Sequence, residues 1–271
     1  MGSRSEIMQL IVTFTAPGVV SIPVHHGHLL QALIYNQMDN PTIRHYLHEH
    51  GFLLGKRHFK LFTFSRLQGR ELTYEKESKR LIFTPPLRLV ICSPLDFLLQ
   101  ELGTGFLRQG KVRIGEAVLE VQNMSVDAQQ VLSTFIRVRM LSPLVVYSTL
   151  EKEGGDRYVY YYTPFEERFS QLVGDNLKKK YLIVHGNSPY SLNFNIRPLR
   201  VREKDFKVTY FKDTIVKGWM GDYELEGEPK LLQLALDAGL GSKNSQGYGC
   251  CKILEEGKTD KGGEKSGSKK E

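Results

Sequence analysis

The histidines of this 271-residue chain are clustered, since seven of the eight fall between His25 and His58 and the eighth is His185. Histidine is the side chain whose unperturbed pKa, about 6.5, lies nearest to neutral pH, so a cluster of histidines suggests acid–base or metal chemistry. For any single histidine, a polar residue on a solvated helix face is the simpler interpretation. The residues around the cluster must therefore decide between these hypotheses.

A metal site is the weaker of the chemical hypotheses. His45 and His48 have the i, i+3 spacing that places two side chains on one face of a helix. The sequence has no His-Glu-x-x-His motif, however, and the nearby carboxylates are essentially Asp39 and Glu49. We therefore expect no bound metal ion.

The stronger hypothesis comes from Tyr35, His48 and Lys60, which are a phenol, an imidazole and an ammonium without a pair of carboxylates. These groups suit cleavage of an RNA phosphodiester by its own 2′-hydroxyl, because that nucleophile is already part of the substrate and only has to be aligned. Histidine can move protons at neutral pH, tyrosine can donate a proton or orient a group, and lysine can stabilise the phosphorane charge. This chemistry requires no cofactor.

A glycine-rich loop, defined as residues 239–249, follows a predicted helix at 229–238 and precedes an apolar run. Glycine allows positive φ and close approach of another backbone, and the polar residues between the glycines supply hydrogen-bond donors. Because the helix comes first, the order is the reverse of a dinucleotide fold, and Gly247 lacks the following Lys-Ser/Thr of a Walker loop. The alternative to an anion-binding loop is a flexible turn. The candidate RNA contacts in this loop are Gly239, Gly241, Lys243, Ser245, Gly247 and Tyr248.

A basic segment lies between Arg197 and Lys217, where seven Lys and Arg residues stand against three acids and Phe206, Tyr210 and Phe211 are interleaved. Basic strands with aromatic residues are typical of surfaces that hold RNA by its phosphates and by base stacking. A solvated sheet face whose aromatic residues point into the core is an equally good interpretation. The basic residues predicted to bind RNA, apart from the glycine-rich loop, are Lys56, Arg57, Arg137, Arg139, Arg197, Arg200 and Arg202.

The composition describes an ordinary globular protein, with 41% hydrophobic and 25% charged residues and a net charge of +7. The positive excess favours a polyanionic partner. No apolar run approaches the ~20 residues that a membrane helix needs, so we expect no membrane contact. Cys92, Cys250 and Cys251 are an odd number without metal-ligand spacing, which indicates a reducing, cytoplasmic location and no structural zinc.

The spacing of apolar residues and turn signals predicts an α+β fold in which a β-α-β-β-α-β pattern occurs twice, implying two tandem ferredoxin-like domains. The first half is predicted to contain strands at 8–15, 59–67, 71–74, 81–84, 87–92 and 111–121 and helices at 28–38, 41–50 and 93–108. The second half is predicted to contain a strand at 134–141, a hairpin within 145–162, a helix at 165–179, strands at 192–201 and 206–219, the 229–238 helix and a strand from residue 248. The predicted domains cover 6–125 and 129–256, and the polar tail 257–271 is predicted to be disordered.

Five motifs that occur in order along the chain resemble one known family. They are Leu33-Ile-Tyr-Asn36, Tyr46-Leu-His-Glu49, Lys60-Leu-Phe-Thr-Phe-Ser65, Leu141-Ser-Pro143 and the glycine-rich loop. Together they are similar to the CRISPR-associated endoribonucleases of the RAMP superfamily, which cut precursor CRISPR RNA within its repeats. The resemblance covers roughly residues 8–254. It implies tandem ferredoxin-like domains and metal-independent cleavage that leaves 2′,3′-cyclic phosphate and 5′-hydroxyl ends.

The resemblance also implies roles for three residues, because the family's catalytic tyrosine, histidine and lysine correspond to Tyr35, His48 and Lys60. His48 is expected to act as general acid or base, Tyr35 to assist proton transfer or align the 2′-hydroxyl, and Lys60 to stabilise charge. The alternatives that the sequence leaves open are Lys56 in place of Lys60, and His45 or His50 sharing the role of His48.

The partners that the resemblance implies are precursor CRISPR repeat RNA and a CRISPR surveillance complex, with the protein itself a monomer or a homodimer. A second hypothesis is a RAMP-type subunit that binds repeat or guide RNA without cutting it. Such a subunit would keep the glycine-rich loop and the basic surface, but it would not need the histidine cluster. A third hypothesis, a metal-dependent hydrolase, predicts stoichiometric metal in the purified protein.

Overall fold

The computed structural model of the protein describes residues 9–128, 130–186 and 193–254. Each half of the chain forms an antiparallel sheet against which helices pack. The N-terminal half contains β1 (Gln9–Thr15), β2 (Val20–Pro23), α1 (Gly27–Asn36), α2 (Pro41–His45), a π-helical turn (Tyr46–His50), β3 (Phe52–Leu54), β4 (Arg57–Phe59), β5 (Thr63–Phe64), β6 (Glu71–Glu75), β7 (Arg80–Thr84), β8 (Leu87–Cys92), α3 (Asp96–Gln109), β9 (Lys111–Ile114) and β10 (Ala117–Asp127). The C-terminal half contains β11 (Phe135–Met140), β12 (Tyr147–Glu151), β13 (Arg157–Tyr161), α4 (Glu167–His185), β14 (Phe194–Arg200), a 3₁₀ turn (Glu203–Asp205), β15 (Phe206–Phe211), β16 (Thr214–Trp219), β17 (Asp222–Gly227), α5 (Pro229–Ala238), a 3₁₀ turn (Asn244–Gln246) and β18 (Cys251–Ile253).

The N-terminal sheet has the strand order β5-β8-β1-β10-β9, and every neighbouring pair is antiparallel. Without β9, which extends the edge as the hairpin partner of β10, this is the 2-3-1-4 order of a β-α-β-β-α-β unit. Alternate side chains along a strand point to opposite faces, so one face of the sheet packs against α1 and α3. The core there includes Val12, Phe14, Ile34, Leu89 and Phe106.

The C-terminal sheet repeats the arrangement with the strand order β14-β17-β11-β18, again antiparallel throughout. Ile136 and Val138 of β11 pack with Phe169 of α4 and the leucines of α5. Arg137 and Arg139 alternate with them and therefore lie on the opposite face of the sheet. The prediction of two tandem ferredoxin-like units is confirmed.

Four smaller sheets are added to the two main ones, namely β2-β7-β6, β3-β4, β12-β13 and β15-β16. The predicted hairpin within 145–162 is β12-β13, and it turns through Gly154 and Gly155, whose φ values of 115° and 89° favour glycine. The short hairpin β3-β4 directly follows the π-helical turn. It brings the end of the histidine cluster back towards Lys60.

The segment 206–219 is not a strand of the C-terminal sheet, contrary to the prediction. It forms the hairpin β15-β16, and the third strand of the repeated unit is β17. The sequence of β17 is Asp-Tyr-Glu-Leu-Glu-Gly, and its three acids are unfavourable in a strand. Two of these acids form ion pairs with Arg137 and Arg139 on the neighbouring strand β11, and such cross-strand pairs stabilise a sheet.

Two strands predicted as continuous are interrupted. Within 59–67 only Thr63–Phe64 joins the main sheet, because Leu61 adopts a φ of 54° and ends the extended backbone. The segment 111–121 forms the β9-β10 hairpin, which turns at Gly115 with a φ of 61°. In both places a positive φ breaks the strand. The sequence pattern gives no sign of it at Leu61, whereas Gly115 is a residue type that favours it.

Two predicted helices also differ from the structure. The helix expected at 41–50 divides into α2 and the π-helical turn that carries His48. The helix expected at 165–179 is α4, which runs six residues further, to His185, and ends at Gly186 with a φ of 72°. The three lysines at 178–180 therefore lie inside α4 rather than at its end.

The two units contact each other directly. Ile11, Val90 and Cys92 of the N-terminal sheet pack with Cys250 and Leu141 of the C-terminal unit. All three cysteines of the chain are buried and free, and the sulfurs of Cys92 and Cys250 are 3.8 Å apart. The contact makes the two sheets neighbours, so residues from both units can contribute to one site.

The predicted disordered tail, 257–271, and residues 6–8 of the first predicted domain lie outside the residues that the structure describes. Across 9–128, 130–186 and 193–254, no helix combines the length and the apolar composition that crossing a membrane requires.

Two glycines of α3 provide a test of the packing between helices. At Gly105 a Cβ atom would lie 1.9 Å from the carbonyl oxygen of Gln37, which follows α1, whereas at Gly103 it would meet no atom within 4 Å. We expect Gly105→Ala to lower the free energy of unfolding by about 1–3 kcal/mol, because α1 and α3 must separate. We expect Gly103→Ala to raise it by about 0.4–1 kcal/mol. Urea unfolding measures both changes, and equal effects would contradict the close packing.

Candidate functional site

Tyr35 and His48 are in direct contact. Tyr35 lies in the last turns of α1 and His48 in the π-helical turn, and their ring centroids are 5.0 Å apart in an edge-to-face arrangement. The Tyr35 hydroxyl is buried and donates a hydrogen bond to the carbonyl oxygen of Leu47 at 3.3 Å. Burial, together with the nearby carboxylate of Glu49, raises the pKa of Tyr35 above its usual value. The phenol is therefore protonated at neutral pH.

His48 is accessible to a substrate, since 59% of its side chain is exposed. Its Nδ1 lies 2.6 Å from Oε1 of Glu49, and this contact orients the ring. The hydrogen bond from His48 lowers the pKa of Glu49, so the carboxylate is ionised at neutral pH. Nε2 is the ring nitrogen that remains for proton transfer. The π-helical turn, a local distortion common at functional sites, ends at Gly51 with a φ of 66°.

Lys60 reaches the same turn from the strand side. Its Nζ donates a hydrogen bond to the carbonyl oxygen of His48 at 2.8 Å, and partial burial lowers its pKa. A Cβ at Gly51 would lie 2.8 Å from Cδ of Lys60 and 2.5 Å from the carbonyl oxygen of Phe59, so only glycine fits there. Lys56 and Arg57 are exposed at the turn of the β3-β4 hairpin. The structure thus brings Tyr35, His48 and Lys60 together.

The remaining histidines have other surroundings. The rings of His45 and His50 are 5.9 Å apart, and Nδ1 of His58 lies 2.8 Å from the carbonyl oxygen of His50. His25 packs against Tyr210 of the C-terminal unit. His26 is buried, and the burial lowers its pKa to about 4. The cluster in the sequence therefore separates into an exposed group that includes His48 and a partly or fully buried group at the start of α1.

The glycine-rich loop is held in place by Lys180, a buried lysine of α4. Its Nζ donates to Oδ1 of Asn244 and the carbonyl oxygen of Gly239, both at 2.6 Å, and approaches the carbonyls of Ala238 and Gly241 at 3.3 and 3.4 Å. Burial lowers the pKa of Lys180 to about 7. The four oxygen acceptors favour the ammonium form, because an ammonium group has hydrogen-bond donors and no acceptor. The loop is therefore folded around an internal cation.

The same loop contacts the N-terminal unit at α1, the helix that carries Tyr35, and at β5. Nε2 of Gln31, on α1, donates to the carbonyl oxygen of Ser245 at 2.7 Å. Oγ1 of Thr63, on β5, donates to the carbonyl oxygen of Tyr248 at 2.9 Å. These bonds hold the loop of the C-terminal unit against α1 and β5 of the N-terminal unit.

Only part of the loop is open to a ligand. Of the predicted RNA contacts, Gly239, Gly241 and Tyr248 are buried, whereas Lys243, Ser245 and Gly247 are partly exposed. The Tyr248 hydroxyl lies 2.8 Å from Oγ1 of Thr209 on β15, so it fixes the neighbouring hairpin. The polar stretch at 243–246 is therefore the part that faces outward.

A cavity of about 700 Å³ lies between these elements. Its walls are the segment 57–62, the start of β12, one side of α4 and residues 242–246 of the glycine-rich loop. Lys60 belongs both to this wall and to the cluster around His48. The cavity therefore lies next to the contact between Lys60 and His48, and its volume falls within the size range of small-ligand sites.

The arginines predicted to bind RNA on the C-terminal sheet are largely paired. Arg139 makes a bidentate ion pair with Asp222 at 2.7 and 2.9 Å, and Glu224 lies 3.2 Å from Arg137 and 3.6 Å from Arg197. Arg200 and Arg202 are exposed at and beyond the end of β14. This face of the sheet is therefore of mixed charge. Its contacts with RNA stay a prediction.

Three residues of the site did not stand out in the sequence. Glu49 orients His48, Lys180 supports the loop, and Asn176 lines the cavity one helical turn before Lys180. Lys180 follows two other lysines, so its sequence resembles the ordinary basic end of a helix. The available signal was the i, i+4 spacing of Asn176 and Lys180, which places them on the apolar face with Val173 and Leu177.

The described residues contain no group of three or more His, Cys, Asp and Glu side chains arranged to hold a metal ion. The predicted chemistry of Tyr35, His48 and Lys60 does not call for one.

Two family models match the chain. Residues 21–125 match "CRISPR-associated protein Cas6, N-terminal" and residues 127–253 match "CRISPR associated protein Cas6, C-terminal". A curated relative from Methanocaldococcus jannaschii, CRISPR-associated endoribonuclease Cas6 1, is 28% identical over 93% of this chain and 94% of its own length. CRISPR-associated endoribonuclease Cas6 from Pyrococcus furiosus is 28% identical over 89% of this chain and 86% of its own length.

Solved structures resemble the fold as well. One described as "CRISPR associated protein Cas6" has a TM-score of 0.74 and 26% identity, covering 92% of this chain and 100% of its own. A Cas6-related protein from Pyrococcus furiosus has a TM-score of 0.80 at 21% identity, covering 92% of this chain and 99% of its own. At 21% identity, the second similarity is evidence for the fold of the two units and for nothing further.

The contribution of Lys180 to the loop can be tested by Lys180→Met, which keeps the length of the side chain but removes the donor. We expect the free energy of unfolding to fall by about 1–3 kcal/mol, because buried oxygens lose their hydrogen bonds. We also expect faster hydrogen exchange of the amides at 239–249. Lys178→Met, at an exposed position of the same helix, is the matched control. Unchanged protection of the loop in Lys180→Met would contradict its role as an anchor.

Proposed function

The chain belongs to the Cas6 family, and we propose that it is an endoribonuclease that cleaves precursor CRISPR RNA within its repeats. Both curated relatives described above are named CRISPR-associated endoribonucleases. The observation that carries the proposal is the convergence of Tyr35, His48 and Lys60 beside the cavity under the glycine-rich loop. A protein that only holds RNA would not need an exposed, carboxylate-oriented histidine at that position.

The reaction is an internal transesterification. The 2′-oxygen attacks the adjacent phosphorus while the bond from phosphorus to the 5′-oxygen breaks, and the products carry a 2′,3′-cyclic phosphate and a 5′-hydroxyl. One proton leaves the 2′-hydroxyl and one is delivered to the departing 5′-oxygen. His48 is the group that exchanges a proton with the reacting oxygens, through Nε2. No water molecule or metal ion is required, because the nucleophile is part of the substrate.

The other two residues support the proton transfer. Tyr35 stays protonated because its pKa is raised, so it is not a base, and its ring contact with His48 keeps the imidazole in place. Lys60 is held by the carbonyl oxygen of His48, and an ammonium has further N–H groups that can be directed at a phosphate. The excess negative charge of the phosphorane would be stabilised there.

Binding of the repeat would use the charges that surround the cavity. Arg57, Lys60 and Lys243 lie on its walls, and Lys56 lies next to them. The exposed residues Arg200 and Arg202 would extend the contact with the RNA backbone. Neutralising phosphates releases counterions, so affinity for RNA is expected to fall steeply with salt concentration.

We further propose that the protein works in the cytoplasm as a monomer or homodimer and passes its product to a surveillance complex.

The proton-transfer role of His48 is tested by cleavage of repeat RNA in EDTA. We expect the wild type to cut in the presence of chelator and His48→Ala to be slower by about 10²–10⁴-fold, because a positioned acid or base contributes that much. His45→Ala, three residues away and outside the Tyr35 contact, is the matched control and should stay close to wild type.

Two results would contradict this proposal. One is loss of wild-type cleavage on chelation. The other is cleavage that survives when His45, His48 and His50 are all replaced by alanine. Tight, salt-dependent binding of an RNA that stays intact would instead favour the non-catalytic subunit.

Tyr35→Phe separates positioning from proton donation. The variant keeps the ring that contacts His48 but loses the hydrogen bond to the carbonyl oxygen of Leu47. We expect the single-turnover rate to fall by less than about tenfold, and Tyr35→Ala to lower it much further, because only the latter removes the support of the imidazole. A loss in Tyr35→Phe as large as that in His48→Ala would show that the phenolic proton takes part directly.

A further inference from the structure

Two side-chain oxygens in the wall of the cavity lack a hydrogen-bond partner among the described residues. They are Oδ1 of Asn176 and Oε1 of Gln246, and both residues line the cavity next to Lys60. Asn176 as a whole is only 9% exposed. A buried acceptor without a partner costs about 1–3 kcal/mol, and folded proteins keep few of them. The pair therefore calls for a ligand that donates hydrogen bonds.

The two acceptors are held in a fixed relation to each other. Asn176 lies one turn before Lys180 on α4, and Lys180 binds the glycine-rich loop at Gly239 and Asn244. Gln246 lies two residues after Asn244, in the same 3₁₀ turn. The terminal torsions of Asn and Gln are broad, so rotation of the amide group can change the direction of each oxygen. An anchored pair of amides is a typical device for recognising the edge of a nucleobase.

The charge of the cavity narrows the class of ligand. Its cationic lining residues that are not enclosed by protein oxygens are Arg57, Lys60 and Lys243, and the part of the chain that the structure describes contributes no carboxylate to the wall. A ligand that combines hydrogen-bond donors with negative charge fits this environment. A nucleotide has both, since its base carries N–H groups and its phosphate is anionic.

We infer that this cavity receives the base of a nucleotide next to the scissile phosphate, rotated out of the RNA stack, and that Asn176 and Gln246 select a base carrying an exocyclic amino group. The inference rests on the proposed function, because the shared wall at Lys60 sets the distance between the base and the reacting phosphate. Adenine, cytosine and guanine each carry such an amino group, and uracil does not. A site that leaves its own polar groups unpaired rejects the base that cannot satisfy them.

The test begins with repeat RNAs in which the two nucleotides on each side of the cut are made abasic, one at a time. The position whose loss slows cleavage most is the one that occupies the cavity. There, the natural base is compared with the same base lacking its amino group. We expect removal of the amino group to lower kcat/KM of the wild type by about 10- to 100-fold, in the range of a good base contact.

The same comparison is made for Asn176→Ala, Gln246→Ala and the double variant. We expect the penalty for the missing amino group to shrink to less than about threefold in the double variant, and to be intermediate in each single variant. Gln171→Ala, at an exposed position of α4, is the matched control and should keep the full penalty. Thermal melting of each variant checks folding. If Asn176→Ala is unstable, Gln246→Ala alone must still reduce the penalty severalfold.

Binding of a non-cleavable RNA, with a 2′-deoxy nucleotide at the cut, is measured in parallel. Two results would overturn the inference while leaving the proposed nuclease activity intact. One is a loss of kcat/KM, on removal of the amino group, that is equal in the wild type and the double variant. The other is a set of abasic RNAs in which no position affects cleavage. A wild type that discriminates in binding but never cleaves would instead overturn the proposed catalysis and leave the base site standing.

Discussion

The rest of the site depends on the hydrogen bonds that the buried side chain of Lys180 donates to the glycine-rich loop. Moving a charge out of water is costly, and here four oxygens of the glycine-rich loop and its flanks replace the lost hydration. Because three of those oxygens belong to a loop that lies outside the α-helices and the sheets, the hydrogen bonds of Lys180 fix the conformation of that loop. The loop then bonds to Gln31 on α1 and Thr63 on β5. One lysine thus links α4, the loop and the unit that carries Tyr35 and His48.

Tyr35, His48 and Lys60 are positioned by a second constraint, which lies within the N-terminal unit. The π-helical turn places His48 over the ring of Tyr35, and Gly51 leaves room for the segment at Phe59 and Lys60 to return beside it. The two constraints are complementary. The constraint in the N-terminal unit positions Tyr35, His48 and Lys60, and the hydrogen bonds of Lys180 position the glycine-rich loop beside them.

The net charge of +7 does not by itself tell where positive charge is concentrated, because some of the basic residues form ion pairs with acids. Arg137, Arg139 and Arg197 lie close to Asp222 and Glu224, so the open face of the C-terminal sheet presents both signs of charge. Around the cavity, by contrast, Arg57, Lys60 and Lys243 are gathered without a lining carboxylate in the described part of the chain. A count of basic residues indicates a polyanionic partner, whereas the pairing shows which basic residues lie close to acids and which do not.

The sequence by itself determined the repeated β-α-β-β-α-β pattern, the place of the glycine-rich loop after α5, and the candidates Tyr35, His48 and Lys60. These depend on local properties, namely the periodicity of apolar residues, the conformational freedom of glycine and the rarity of clustered histidines. Tertiary structure decided the rest. The acid-rich strand β17 forms because its partner strands carry arginines, and the positive φ of Leu61 divides a predicted strand. Lys180 and Asn176 look like ordinary helix residues in the sequence. They become parts of the site only because the loop, some sixty residues later, folds over them, and a contact between such distant residues leaves no local signal.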